Sequence, residues 1–161
     1  MSSPQGARER RRQAIIELLS PSPGAVAAAA GLGAAAGLRT ATPLAVLQLR
    51  GRLLPWPWGW FIVAGAASEL IVDKLPMAGN RTAPVGLLAR TASAAWAGAT
   101  VAGPIGAGVA GVAALAAAFI GMHTRGFLVR RTGLPDGVFA TAEDLVTVAL
   151  ATASTSIPDR W

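Results

Sequence analysis

The sequence predicts an all-α integral membrane protein with about five transmembrane helices. Three observations predict this class: 53% of the 161 residues are hydrophobic, only 14% are charged, and the mean hydropathy is +0.50. Soluble domains usually carry about 25% charged residues. Helices satisfy every backbone polar group internally in lipid, so long apolar runs separated by short polar segments favour a helical bundle.

Composition also excludes several functions. The chain has no cysteine, which removes disulfides, thiolate zinc sites, iron–sulfur clusters and cysteine nucleophiles. The net charge is +6, but the basic residues are scattered rather than gathered on an aromatic face, so we expect no nucleic-acid partner. We find no nucleophile elbow, no phosphate-binding glycine loop and no histidine pair. The single histidine, His123, is expected to be solvated at the end of a span. The sequence therefore predicts no enzyme, no metal site and no cofactor.

The chain divides into three parts. Residues 1–23 form a basic cytoplasmic tail or an interfacial amphipathic helix, residues 24–154 a polytopic transmembrane domain, and residues 155–161 a short tail. Glu17 interrupts the short apolar group near the N-terminus, whereas the core of a signal peptide needs about 7–15 apolar residues. We therefore expect no cleavage. The alternative for this segment is a disordered basic tail.

Five apolar runs approach the length of about 20 residues that a spanning helix needs. Pro43 is expected to kink the first run, because proline lacks the backbone N–H of a continuous helix. The uncharged stretch 91–122 is divided at Gly103-Pro104, since proline is well placed at a helix start; one long tilted helix is the alternative. The predicted spans are 24–49, 53–72, 84–102, 104–122 and 138–154.

The distribution of basic residues favours a cytoplasmic N-terminus, because arginine and lysine concentrate on the inner side of a membrane. With five spans, the inside segments hold nine basic residues and the outside segments hold three. The inside set is Arg8, Arg10, Arg11, Arg12, Lys74, Arg81, Arg125, Arg130 and Arg131, and the outside set is Arg50, Arg52 and Arg160.

Small residues recur at four-residue spacing in three of the spans. Such faces let helix backbones approach closely where lipid removes the hydrophobic incentive for association. They indicate packing within the chain or, as the alternative, a homo-oligomer interface. The glycines concerned are Gly33, Gly37, Gly98, Gly103, Gly106 and Gly111.

Charged residues inside the predicted spans are the main functional candidates, because each costs roughly 2.5–3.5 kcal/mol to insert. In one hypothesis they line a pathway for an ion, a proton or a small solute. Glu69 and Glu143 are then the carboxylates that bind an ion or a proton, and Asp73 gates the cytoplasmic end. Arg39 and Arg90 are counter-charges or, as the alternative, anchors for an anionic solute. The charged residues inside the spans are Arg39, Glu69, Arg90, Glu143 and Asp144, and the candidate set also includes Thr40, Asp73 and Arg81 beside them.

The competing hypothesis is a structural or partner-binding membrane protein. Arg39 or Arg90 then pairs with Glu69 or Glu143, which neutralises the interior of the bundle without any ligand.

A short internal similarity between residues 67–72 and 141–146 predicts a 2+1+2 inverted repeat, the arrangement of many transporters.

Several motifs follow one another in order over about residues 24–154: AGLRT with Pro43, Glu69 with DKLP, NRT and Ala89-Arg90, and LVRR with LPD and AED. Together they resemble the bacterial membrane protein family called domain of unknown function 4126. The resemblance implies a multi-span protein of the bacterial inner membrane whose polar positions are a family hallmark, and it implies no activity, cofactor or substrate.

Overall fold

A computed structural model describes residues 8–10, 12–13, 15–16, 19–72 and 84–157. All regular structure in these ranges is helical, which confirms the all-α class. The described residues between 8 and 16 are helical and exposed. Five helices follow: α1 (Pro23–Leu38), α2 (Thr42–Leu49), α3 (Gly59–Val72), α4 (Pro84–Thr132) and α5 (Asp136–Thr155).

Local sequence determines where α1 begins and where α2 begins. The Ser22 side chain accepts a hydrogen bond from the backbone N–H of Ala25 at 3.1 Å, and Pro23 occupies the first turn, where no backbone N–H is needed. Arg39 is extended, with φ −140° and ψ 116°, which ends α1. Pro43 then lies in the first turn of α2. Residues 39–41 thus form an interruption, called here the α1–α2 break.

The α1–α2 break reverses the chain, so the prediction of one kinked span over residues 24–49 is wrong. The start of α1 lies beside the end of α5, because a Cβ on Gly24 would be 3.3 Å from Ile157 Cγ2. Arg39 contacts Asp144, halfway along α5. The chain then returns, since Arg50 Nη1 donates to the carbonyl oxygen of Thr155 at 3.2 Å. Helices α1 and α2 therefore form a hairpin that enters and leaves at the same end of the bundle.

Helix α4 also reverses, at Ala102 and Gly103. Ala102 has φ −143° and ψ 23°, and Gly103 has φ +59° and ψ −150°, a conformation that residues with a Cβ rarely adopt. The arms 84–101 and 104–132 pack antiparallel, with Gly98 against Gly106. The predicted division of this stretch at Gly103-Pro104 is confirmed, and the long tilted helix is excluded.

The core is built from small residues. Alanine accounts for most of the buried hydrophobic side chains, and Leu32 and Leu47 are the largest fully buried ones. A Cβ added to Gly33 would overlap the backbone of Ala110, and one added to Gly37 would overlap that of Ala114. These glycines lie at contacts within the chain, where they let α1 run close beside the arm 104–132.

The remaining helices complete an alternating bundle. Helix α3 runs antiparallel to α2, because Gly59 lies beside Gln48 and Glu69 lies beside Thr40. One end of the bundle holds the start of α1, the connection 50–58, the turn at Gly103 and the end of α5. The other end holds the end of α3, the start of α4 and the connection 133–135.

The predicted inverted repeat has no matching architecture in the described ranges. The α1–α2 hairpin precedes α3, whereas a single helical arm, 104–132, precedes α5. The two similar hexapeptides therefore lie in different surroundings.

By length and composition, two helices in the described ranges could cross a membrane: α4, whose 49 residues include both antiparallel arms, and α5, with 20. Helices α1 and α3 are apolar but shorter. These helices support membrane association.

Adding one methyl group at the contact between the α4 arms tests their close approach. We expect Gly98→Ala to destabilise the protein by about 1–3 kcal/mol, because the Cβ would overlap the backbone of Gly106. Gly108→Ala is the matched control, since a Cβ there meets nothing within 4 Å, and it should stabilise by up to about 1 kcal/mol. Thermal unfolding in detergent measures both; equal effects would contradict the packed hairpin.

Candidate functional site

The candidate site is the α1–α2 break. A helix end leaves backbone groups without partners inside the helix: carbonyl oxygens at the end of α1 and N–H groups at the start of α2. These groups lie in the middle of the bundle, where an unsatisfied backbone group costs several kcal/mol in an apolar medium. Side chains from α3 and α4 reach them.

Glu69 of α3 binds the start of α2. The backbone N–H of Thr40 donates to Glu69 Oε1 at 2.7 Å, and that of Ala41 donates to Oε2 at 2.7 Å. Ala41 is the N-cap residue of α2 and offers no side chain for capping. Glu69 therefore supplies the cap from another helix, and its negative charge lies at the positive end of the α2 dipole.

Arg90 of α4 binds the end of α1. Its Nη1 donates to the carbonyl oxygens of Gly37 and Leu38, the latter at 3.1 Å, and the residue is only 6% exposed. One helical turn further along α4, Ser93 Oγ donates to the carbonyl oxygen of Thr40 at 2.5 Å. The positive guanidinium thus lies at the negative end of the α1 dipole.

Arg39, inside the break, forms a buried ion pair with α5. Its Nε lies 2.5 Å from Asp144 Oδ1, and the two side chains are 0% and 13% exposed. Taking two such charges out of water costs several kcal/mol per ion, and their attraction repays this only with close geometry. The pair links the turn of the hairpin to the middle of α5.

Glu143, the neighbour of Asp144, points to a different partner. Arg125 Nη1 lies 3.5 Å from Glu143 Oε2, and the same guanidinium binds the carboxylate of Asp136. Successive residues of a helix point about 100° apart, so the two adjacent carboxylates of α5 serve two separate places.

Most of the predicted site residues converge at the break. The structure brings together Arg39, Thr40, Glu69, Arg90 and Asp144, whereas Glu143 lies beside Arg125. The predicted pairing of Arg39 or Arg90 with Glu69 or Glu143 did not single out the Arg39–Asp144 pair. Asp73 and Arg81 lie outside the described residues.

Sequence reasoning missed three polar side chains. Ser93 follows Arg90 by three residues and therefore shares its helix face, a spacing that could have identified it. Gln48 is fully buried and its amide binds both the N–H and the carbonyl oxygen of Leu54 at 2.9 Å. Arg50 binds the last turn of α5 through Thr155. The last two hold the return of the hairpin in place.

A groove of about 400 Å³ lies between the arm 104–132 and α5. Leu38 and Gly121 line it side by side, and Arg125 and Glu143 contribute charge to a predominantly apolar lining. His123, which lies outside the lining, is exposed, with Nδ1 2.7 Å from the carbonyl oxygen of Phe119. Among the described residues, no cluster of three histidines or carboxylates could hold a metal ion.

No family model, curated protein or solved structure matches the chain. The resemblance to domain of unknown function 4126 stays a prediction.

Breaking the buried ion pair tests its place in the fold. We expect Arg39→Met to destabilise the protein by about 3–5 kcal/mol, because the Asp144 carboxylate stays buried without the guanidinium beside it. The double variant Arg39→Met/Asp144→Leu should recover most of that loss. Asp136→Asn is the control for an ion pair at a 62% exposed side chain and should cost about 0–1 kcal/mol. Unfolding in detergent is the measurement; an Arg39→Met cost no larger than the control would contradict a buried pair.

Proposed function

We propose that the chain is a multi-pass protein of the bacterial inner membrane that moves a small solute or ion past the α1–α2 break. The observation that carries the proposal is a hairpin that stops and reverses in the middle of the bundle, beside four charged side chains: Arg39, Glu69, Arg90 and Asp144. Broken helices with charged surroundings at mid-depth are typical of transporters, where irregular backbone is tolerated because it is buried in protein or lines a cavity.

The distribution of polarity supports the membrane placement. Arg39, Arg90 and Gln48 are buried, while many large apolar side chains such as Phe61 (73% exposed) and Val85 (79%) lie on the surface. A soluble protein shows the reverse preference. Trp56, Trp58 and Trp60 are also exposed, near one end of the bundle, as in the aromatic belt of a membrane interface.

In the proposed topology, α3, the two arms of α4 and α5 cross the membrane, and the α1–α2 hairpin is re-entrant. The N-terminal tail then joins Arg50, Arg52 and Arg160 on one side, which holds seven basic residues in the sequence. The opposite side holds five: Lys74, Arg81, Arg125, Arg130 and Arg131. We keep the N-terminus cytoplasmic, because its side holds more basic residues than the opposite side. The difference is smaller than in a topology with five crossings, which places nine basic residues inside and three outside.

The sign of the cargo decides which side chain must move. An anion would take the N–H groups of Thr40 and Ala41 in place of the Glu69 carboxylate. A cation would take the carbonyl oxygens of Gly37 and Leu38 in place of the Arg90 guanidinium. Either exchange leaves the Arg39–Asp144 pair holding the hairpin to α5.

One observation favours the second candidate, a purely structural or partner-binding membrane protein. The capping bonds of Glu69 and Arg90 and the ion pair of Arg39 satisfy the break without any ligand. In that case Glu69→Gln lowers the stability of the fold and has no other effect.

Flux in proteoliposomes separates the two candidates. The probes are chloride, nitrate, phosphate, sodium, potassium and protons, each under an imposed gradient. We expect the wild-type protein to conduct at least one of them and Glu69→Gln to change that flux by about tenfold or more, since the neutral amide holds the α2 start less tightly. Asp136→Asn, far from the break and exposed, should leave the flux unchanged.

Two results would contradict transport: no flux of any probe, or a Glu69→Gln protein whose flux equals that of wild type. Far-UV circular dichroism and gel filtration of each variant separate lost flux from lost folding. Arg90→Gln is the second variant. A cation pathway predicts the larger flux change for Arg90→Gln, and an anion pathway predicts it for Glu69→Gln.

The re-entrant hairpin predicts that residues 22 and 52 lie on the same side of the membrane. Because the chain has no native cysteine, Ser22→Cys, Arg52→Cys and Thr132→Cys give single-cysteine proteins. In sealed vesicles, a membrane-impermeant thiol reagent should label the first two from one side and Thr132→Cys from the other. Labelling of residues 22 and 52 from opposite sides would contradict the hairpin.

A further inference from the structure

We propose that the groove between the arm 104–132 and α5 binds one acyl chain of an anionic phospholipid, whose headgroup lies near Arg125 and Arg131. The inference rests on the membrane placement proposed above, and it does not depend on transport. It assigns a ligand class to a surface feature that the α1–α2 break does not use.

The shape of the groove suits an alkyl chain. Its lining on the arm extends from Ala117 to Leu128, which is roughly 16 Å along a helix at 1.5 Å per residue. Val146 and Phe139 line it from α5, and Leu38 of α1 lines it beside Gly121. A volume of about 400 Å³ with a predominantly apolar lining and few polar groups is typical of a ligand pocket.

The orientation of the groove matches that of a lipid. Helix α5 has 20 residues, which is about the length that crosses the hydrocarbon core, so Asp136 lies near one membrane surface. Leu128 lies close to this surface and Ala117 lies roughly three helical turns deeper. The groove therefore runs from headgroup level into the hydrocarbon region.

The charge at the mouth of the groove selects the headgroup. Residues 121–143, which run from the arm to the facing part of α5, contain three arginines against the two carboxylates of Asp136 and Glu143, a net charge of +1. Asp136 and Glu143 hold the guanidinium of Arg125 at the groove, while Arg131 is exposed at the end of the helix. Basic pockets between transmembrane helices near the membrane surface bind acidic lipid headgroups.

Lipid retention tests the site. The wild-type protein in detergent is mixed with phosphatidylglycerol or phosphatidylcholine, and bound lipid is counted by native mass spectrometry. We expect at least about a tenfold preference for phosphatidylglycerol. Ala142→Phe, which fills the groove from α5, should abolish this binding. Ala149→Phe is the matched control, because Ala149 lies two turns away on the same face of α5, outside the lining, and is also exposed.

Two further variants keep the test decisive. Thr124→Phe fills the groove from the opposite wall and replaces Ala142→Phe should that protein misfold. Arg131→Gln should reduce the preference for phosphatidylglycerol several-fold, whereas Arg10→Gln, an equal change of charge outside the groove, should not. Glycerol phosphate, which has the headgroup chemistry without acyl chains, should not bind measurably.

Four results would overturn the proposal: equal lipid retention in the Ala142→Phe and Ala149→Phe proteins, equal binding of both lipids, binding of glycerol phosphate as tight as that of the lipid, or no lipid bound. Carbonate extraction of wild-type membranes tests the membrane placement separately. If the protein stays in the membrane pellet but shows one of these four results, only the lipid-site proposal is contradicted. If carbonate releases the protein, the membrane placement is contradicted as well.

Discussion

Residues 39–41 interrupt a helix in the middle of the bundle, and the backbone groups freed there need partners. Glu69 supplies two acceptors at the start of α2, and Arg90 supplies the donor at the end of α1. Each charge is also opposite in sign to the partial charge at the helix end that it binds, so the hydrogen bonds and the electrostatic attraction both stabilise the break. The positions of α3 and of the first arm of α4 follow from this need, because each must bring one charged side chain to the break.

A core of small side chains permits this arrangement, because it lets the helices approach closely. Arg90 binds the carbonyl oxygens of α1 only because α4 approaches closely, and that approach depends on residues without large side chains. Gly33 and Gly37 admit the arm 104–132 against α1, while Gly98 admits the two arms of α4 against each other. A Leu-rich core would separate these helices and leave the break without its caps. The high alanine and glycine content of the helices is therefore what permits a broken helix inside the bundle.

Much of this could be predicted from the sequence, and the limits have physical reasons. Arg39, Glu69 and Arg90 stand out because a charge in an apolar run is costly and must have a partner. The turn at Gly103-Pro104 can likewise be predicted, since glycine permits the required positive φ. The reversal at residues 39–41 cannot be predicted, because Pro43 interrupts a helix equally well at a kink and at a hairpin. Its direction depends on tertiary contacts, chiefly Arg50 on the end of α5.

Adjacent carboxylates on α5 connect the break to the groove. Asp144 holds Arg39 of the hairpin, while Glu143, about 100° around the same helix, holds Arg125 of the neighbouring arm. A shift of α5 by one residue would move both carboxylates away from their arginines, so the two ion pairs fix a single register. Because both pairs lie on one rigid helix, an occupant that displaces α5 at the groove also displaces Asp144 at the break. The capped backbone at residues 39–41 is thus coupled to the groove through two adjacent residues of one helix.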